Sequence, residues 1–232
     1  MKNKTLKIFN SVIIICFIFI LFSCLNYKQK DELKEWELVG NVKCCLVSRG
    51  VLEKCKSRES LNPRTLITFN RNGQYKKVVF YDYKEYQIPF RKDGRIIKVV
   101  HYEEDGKIDH CVELMYPSDS IVEYKIFNGE GTLMSNSIFI KKEMQEEYIQ
   151  TFTNASPGGA YMLRGLVQYD KNGNIISVQE RGDQDEQDIW IWHEQYVYLE
   201  YDEKNNWTRR LLYLDAGNNK YQYIETRDIQ YY

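Results

Sequence analysis

Two of the three histidines in this chain can be brought together by a single turn. Asp105-Gly106 suits a two-residue hairpin, because Gly adopts positive φ freely and Asp tolerates it. Pairing outward from that turn sets His101 opposite His110, with Glu103 on the same face one step nearer the turn. Two imidazoles and a carboxylate are donors for zinc or copper. A metal centre would need a further ligand and supporting groups behind it. The alternative is a cross-strand pair whose neutral rings stack or bond water, and no cofactor is expected.

The cysteines offer redox chemistry. If Arg49-Gly50 is a two-residue turn, Cys44 faces Cys55 across a ladder, within reach of a disulfide. A loop one residue longer would pair Cys45 with Cys55 instead, and buried free thiols are the third arrangement. Cys111 has no partner in this scheme, and no Cys-x-x-Cys suggests a metal knuckle.

Aromatic residues cluster near the C-terminus. Trp190, Trp192, Tyr196 and Tyr198 share one strand parity, and an exposed strip of this kind would be a platform for a glycan or protein partner. Cross-strand packing within a sheet is the competing reading. The acidic run Asp183 to Asp188 lacks the Gly and the terminal Glu of a calcium loop, and reads as a connector. There is no nucleophile elbow, no His-Glu-x-x-His, no phosphate loop and no dinucleotide fingerprint. A non-enzymatic protein is expected.

At the N-terminus, Lys2, Lys4 and Lys7 precede an apolar run from Ile8 to Phe22. The run is short for a membrane span, which needs roughly 20 residues. It ends in Leu21-Phe22-Ser23-Cys24, which resembles the lipobox of bacterial lipoproteins. The resemblance implies cleavage after Ser23, acylation of Cys24, and attachment to a cell-envelope membrane. Lys30-Asp31-Glu32 is similar to the signals that send some such lipoproteins to the outer face of the outer membrane. The expected division is a signal peptide at 1–23, a tether at 24–38 and a β-hairpin domain at 39–232.

The elements that must position these groups are strands. Tyr is abundant (19 residues) and Pro scarce (4), a balance that favours extended chain. The formal net charge of −1 gives no reason to expect nucleic acid. One phrase recurs: an aromatic residue, then Gly or Asn four positions later, then a β-favouring run. It is clearest at Tyr169…Gly173-Asn174-Ile175-Ile176, and returns at Phe69, Phe90, Tyr102, Phe127, Tyr201 and Tyr213. Two-residue turns at the Asn-Gly and Asp-Gly pairs would set Tyr169 opposite Ile176 and Phe90 opposite Ile97. About fourteen strands follow, which predicts an all-β antiparallel meander of hairpins in an elongated or curved sheet.

The phrase, with Tyr169-Asp170 and Tyr201-Asp202 carrying Tyr-Asp itself, resembles the YD repeats of the RHS family and the related MORN-like hairpin repeats of bacterial lipoproteins. RHS proteins use such repeats as shells, with toxic activity in separate domains. The resemblance therefore implies a structural or protein-interaction scaffold here, with glycan binding by the C-terminal aromatics as the alternative.

Overall fold

A computed structural model describes residues 32–54, 60–152, 161–184, 187–216 and 219–232. Cys24 and Cys55, the signal segment and most of the tether lie outside the described residues.

The recurrent phrase is a turn device. At Asn70, Asn128, Asp170 and Asp202, the side-chain oxygen accepts the backbone N–H groups two and four residues on. The carbonyl of the same residue accepts the N–H three residues on, at 3.0–3.1 Å. That third residue is Gly73, Gly131, Gly173 or Asn205, each at positive φ. This is the three-residue hairpin loop with a bulge, in which a short polar side chain stands in for a backbone acceptor. The bulge slips the ladder by one. Tyr169 faces Ile175 and not Ile176. At Asp93-Gly94 both residues have positive φ, as a two-residue turn requires, but a bulge beyond it sets Phe90 opposite Lys98 and not Ile97.

Fourteen antiparallel strands result: β1 (Val42–Val51), β2 (Asn62–Phe69), β3 (Tyr75–Phe80), β4 (Glu85–Lys92), β5 (Arg95–Glu103), β6 (Ile108–Ser118), β7 (Ile121–Asn128), β8 (Leu133–Lys142), β9 (Gln145–Phe152), β10 (Tyr161–Tyr169), β11 (Ile175–Gln184), β12 (Gln187–Tyr201), β13 (Trp207–Ala216) and β14 (Asn219–Tyr231). Each pairs with the next, and β14 pairs with β1 from Val42↔Tyr231 to Val51↔Tyr223. The sheet is therefore a closed barrel, which corrects the expected elongated or curved sheet. Closure pairs the two edge strands, whose free N–H and C=O groups an open meander would leave exposed.

Closure also overturns the turn at Arg49-Gly50. β1 runs straight through these residues, because Arg49 pairs with Glu225 and Gly50 with Ile224. Cys44 consequently faces Thr68 and Gln230 and its thiol is free, while Cys55, its expected partner, lies outside the described residues.

The inward side chains fill the barrel. One apolar cluster joins Cys45 of β1, Ile67 of β2, Val78 of β3, Ile126 of β7, Phe139 of β8 and Leu212 of β13. At Gly165 of β10, the Tyr148 ring from β9 lies on the bare backbone, and its hydroxyl bonds Glu180 on β11. A Cβ at 165 would sit 1.9 Å from that ring.

One end of the barrel is covered by the residues just before β1. A single helical turn, α1 (Glu32–Glu35), leads into Trp36, Glu37 and Leu38. Leu33, Trp36 and Leu38 are buried in the same core cluster. Part of the expected tether is thus a cap across the end where β1 begins and β14 finishes. Burial of these three apolar side chains drives it there.

Candidate functional site

The cap is held by two carboxylates. Glu32 accepts the Tyr75 N–H at 2.8 Å and pairs with the Arg91 guanidinium. Glu37 accepts the Ile175 N–H at 2.8 Å. Both amides belong to the first residue after a bulged turn. The recurrent turn thus leaves a donor pointing at the barrel end, and the cap supplies the acceptor.

Glu37 is the centre of the arrangement. Its side chain is 5% exposed. It accepts from Trp207 Nε1 at 2.7 Å and lies 3.1 Å from Arg210 Nη1 and 3.3 Å from Arg227 Nη2. The Tyr198 hydroxyl is 2.8 Å away. Arg227 also donates to the Trp36 carbonyl at 2.7 Å and the Glu37 carbonyl at 3.0 Å, and its guanidinium lies 3.6 Å over the Trp207 ring. Behind it, Glu225 bonds both Arg210 and Arg49 at 2.7 Å. Burial pushes the Glu37 carboxyl upward, but Arg210 and Arg227 outweigh it and hold it below the usual carboxylate range. Burial opposes ionisation of Glu225 too, yet Arg49 and Arg210 hold it down at about 2.

The backbone concurs. Glu37 has φ 51°, the left-handed position that usually ends a helix at Gly, and Leu38 N–H closes the motif on the Leu33 carbonyl at 2.8 Å. A non-Gly residue there costs roughly 1–2 kcal/mol, offset by the bonds its side chain makes.

Beside the cap, a cleft of about 790 Å³ opens between Leu38, Val39 and the turns of β8–β9, β10–β11 and β12–β13. Lys141, Lys142, Lys171, Asp170 and Asn205 line it. Its walls are mixed in charge, without an acid–base–nucleophile set.

The histidines lie in the opposite wall. His101 pairs with His110, as the sequence predicts, and Gln87 is the partner of His101 on β4. The two rings stack, with centroids 3.9 Å apart and planes 17° from parallel. A metal in the plane of one ring would lie out of the plane of the other, so the pair is not a chelate. Glu103 is exposed at the strand end, and among the described residues no three His, Cys, Asp or Glu side chains could hold a metal ion. Among the described residues the candidate trio of His101, His110 and Glu103 is not assembled. His110 Nδ1 is 2.5 Å from Asp109, whereas His101 and Gln87 are fully buried with no hydrogen-bond partner at their side-chain polar atoms. Burial, reinforced by His110, holds the His101 imidazole well below its ordinary value, so it is neutral.

The aromatic strip does not form an outer platform on its described members. Tyr196 is buried and its hydroxyl bonds Glu194. Tyr198 turns inward to Glu37. Trp192 is half-buried opposite Glu180. Trp190 pairs with Arg181 in the ladder, and its side chain lies outside the described set.

Sequence reasoning missed Glu37, Trp207, Arg210, Glu225 and Arg227. Arg210 shares a strand parity with Leu212 and Leu214, but Arg209 shares one with Leu211 and Tyr213. Both faces of β13 are equally apolar, so alternation alone could not say which arginine points in.

No protein-family model and no curated protein matches the chain. Among solved structures, a porin-like protein from Bacteroides uniformis is similar over 82% of this chain and 96% of its own, at 9% identity and a TM-score of 0.50. A protein of unknown function from Bacteroides fragilis is similar over 46% of this chain and 86% of its own, at 12% identity and a TM-score of 0.37. At such identity, the porin-like likeness is one of barrel fold alone.

Proposed function

We propose that the chain is a lipid-tethered cell-envelope barrel, seated at the outer membrane of a bacterium, that works through its outer surface as a structural or protein-interaction scaffold. The observation that carries this reading is the filled and capped interior. Core residues from opposite walls meet in one cluster, and Glu37 ties the cap to β11, β12, β13 and β14.

The outer wall supports the same reading. Lys98 and Glu113 pair at 3.5 Å midway along β5 and β6, with Lys125 and Glu123 following on β7. A lipid-facing Lys or Arg at mid-bilayer costs about 2–4 kcal/mol, so a barrel spanning the bilayer keeps that band apolar. Here Glu123 faces Ile138 on one side of an isoleucine pair and Arg164 faces Ile149 on the other, so charged and apolar groups share the wall. Attachment then rests on Cys24, whose acyl chains hold a protein at the membrane surface.

Two measurements test the reading. Cys24→Ala should shift the protein from the membrane to the soluble fraction of cells; unchanged attachment would remove the tether. The native chain added to planar bilayers should give no stepwise conductance; well-defined channels would overturn the scaffold.

A further inference from the structure

We infer that the capped end of the barrel is a docking surface for anionic phospholipid headgroups. The orientation it implies rests on the lipid tether proposed above; the surface chemistry stands on its own residues.

Chain length sets the position. Cys24 lies eight residues before Glu32, the first residue of the cap. Even fully extended, such a segment spans about 28 Å at roughly 3.5 Å per residue. An acylated Cys24 therefore holds the capped end within about 28 Å of the bilayer.

Charge sets the partner. Lys43, Arg71, Lys92, Lys171 and Lys204 stand exposed around the capped end. Lys43, Lys92 and Lys171 have no acidic partner within ion-pair distance among the described residues. Two acids of the same turns, Asp170 and Asp202, are folded back onto their own backbone N–H groups. Arg95 and Lys142 add to the exposed cations at this end, making seven against the four exposed acids Asp93, Asp119, Glu143 and Glu203 among the described residues. The far end has the opposite balance, with Asp82, Glu103, Glu104, Asp105, Asp109 and Glu130 exposed against Lys84, Lys107 and Lys220. The barrel is thus polarised along its axis, basic where the tether enters and acidic where it does not. Basic residues beside a membrane anchor are drawn to the negative surface potential of anionic lipid.

Exposed apolar groups stand among the cations. Val39 is 56% exposed, Met144 47%, Tyr201 44% and Tyr232 47%. Arg71 lies 5.7 Å over the Tyr232 ring, and Lys204 5.1 Å over Tyr231. Lysine stems and tyrosine rings with apolar bodies and polar tips suit the headgroup layer.

Hydrogen exchange of the full-length protein tests this, on vesicles of phosphatidylcholine alone and with phosphatidylglycerol added. The anionic lipid should slow exchange severalfold in the turns at 141–145, 170–174 and 202–206, and leave those at 104–106 and 129–131 unchanged. High salt should erase the difference, because exposed charges are screened. The variant carrying Lys92→Glu, Lys171→Glu and Lys204→Glu should lose the difference while keeping its melting temperature. If that variant does not fold, the salt titration of the native chain decides. Equal exchange on both vesicles, or slowing at the far end, overturns the proposal. Flotation of the native chain and of Cys24→Ala with phosphatidylcholine vesicles reads the tether separately, so the two claims fail independently.

Discussion

Two of the places where the barrel buries polar side chains treat them in opposite ways. At the cap, Glu37, Arg210, Arg227, Glu225 and Arg49 form a chain of alternating charge in which Glu37 alone meets partners from β11 to β14. In the opposite wall, Gln87 and His101 are just as buried, yet their polar atoms meet no partner. Burial alone therefore does not set the cost of a polar group; pairing does. The paired cluster is a clamp, since each member would leave a buried charge behind if removed. The unpaired one is a place where the fold tolerates a cost, and where pH can act.

The largest expected effect breaks the clamp. Glu37→Ala removes the carboxylate between Arg210 and Arg227 and leaves Glu225 beside Arg210, and losses of about 3–5 kcal/mol follow removal of one partner from a buried ion pair. Denaturant unfolding should show this together with faster exchange at Ile175 and Trp207. A loss under about 1 kcal/mol would reduce the cap to a surface contact.

Acid should dissolve the clamp next. Glu225 has its folded pKa lowered from 4.5 to about 2, so its contribution is complete above 4.5 and is lost as pH falls from there towards 2. A shift of that size corresponds to about 3 kcal/mol at most. Glu225→Gln should flatten the stability curve across this window in thermal melts. A variant as acid-sensitive as the native chain would place the titration elsewhere.

The histidine wall should respond at higher pH. His101 is neutral in the fold, with its pKa well below 6.5, so the unfolded chain takes up a proton that the folded chain refuses. Stability therefore falls as pH drops below about 6.5, by up to about 1.4 kcal/mol per pH unit. His101→Leu should remove that slope and leave stability at pH 8 equal or slightly higher, since no hydrogen bond is lost. Strong destabilisation at pH 8 would show that His101 has a partner after all.

The smallest effect separates local turns from the clamp. Asp170→Ala removes the acceptor of the Asn172 and Asn174 N–H groups and should cost about 1 kcal/mol. Because Ile175 N–H reaches Glu37 from this turn, a double mutant with Glu37→Ala should be less than additive. Strict additivity would uncouple the turn from the cap.

Much of the wall was legible. The aromatic-Asx-x-x-Gly phrase marks hairpins because its parts act within five residues of one another, and His101 does face His110, although through a longer loop whose bulge between His101 and Tyr102 restores the register that a two-residue turn would give. The one-residue slip at the bulges was not legible. Asn-Gly and Asp-Gly serve two-residue and three-residue loops alike, and the choice between them depends on an Asx carbonyl and carboxylate that bind their own backbone. The register assumed for Cys44 failed for a different reason: Arg49-Gly50, read as a turn, is strand.

By itself, then, the sequence determined an all-β chain of consecutive hairpins, an apolar N-terminal run ending at Cys24, and the facing imidazoles. These rest on residues close together in the chain, where turn chemistry and side-chain alternation act directly. Only the tertiary structure decided that β14 returns to β1, that residues 32–38 cap one end, and that Glu37 meets Arg210 and Arg227, more than 170 positions away. Closure depends on the twist and stagger accumulated over all fourteen strands. Closure then chose which arginines face inward, and so which carboxylate could be buried among them.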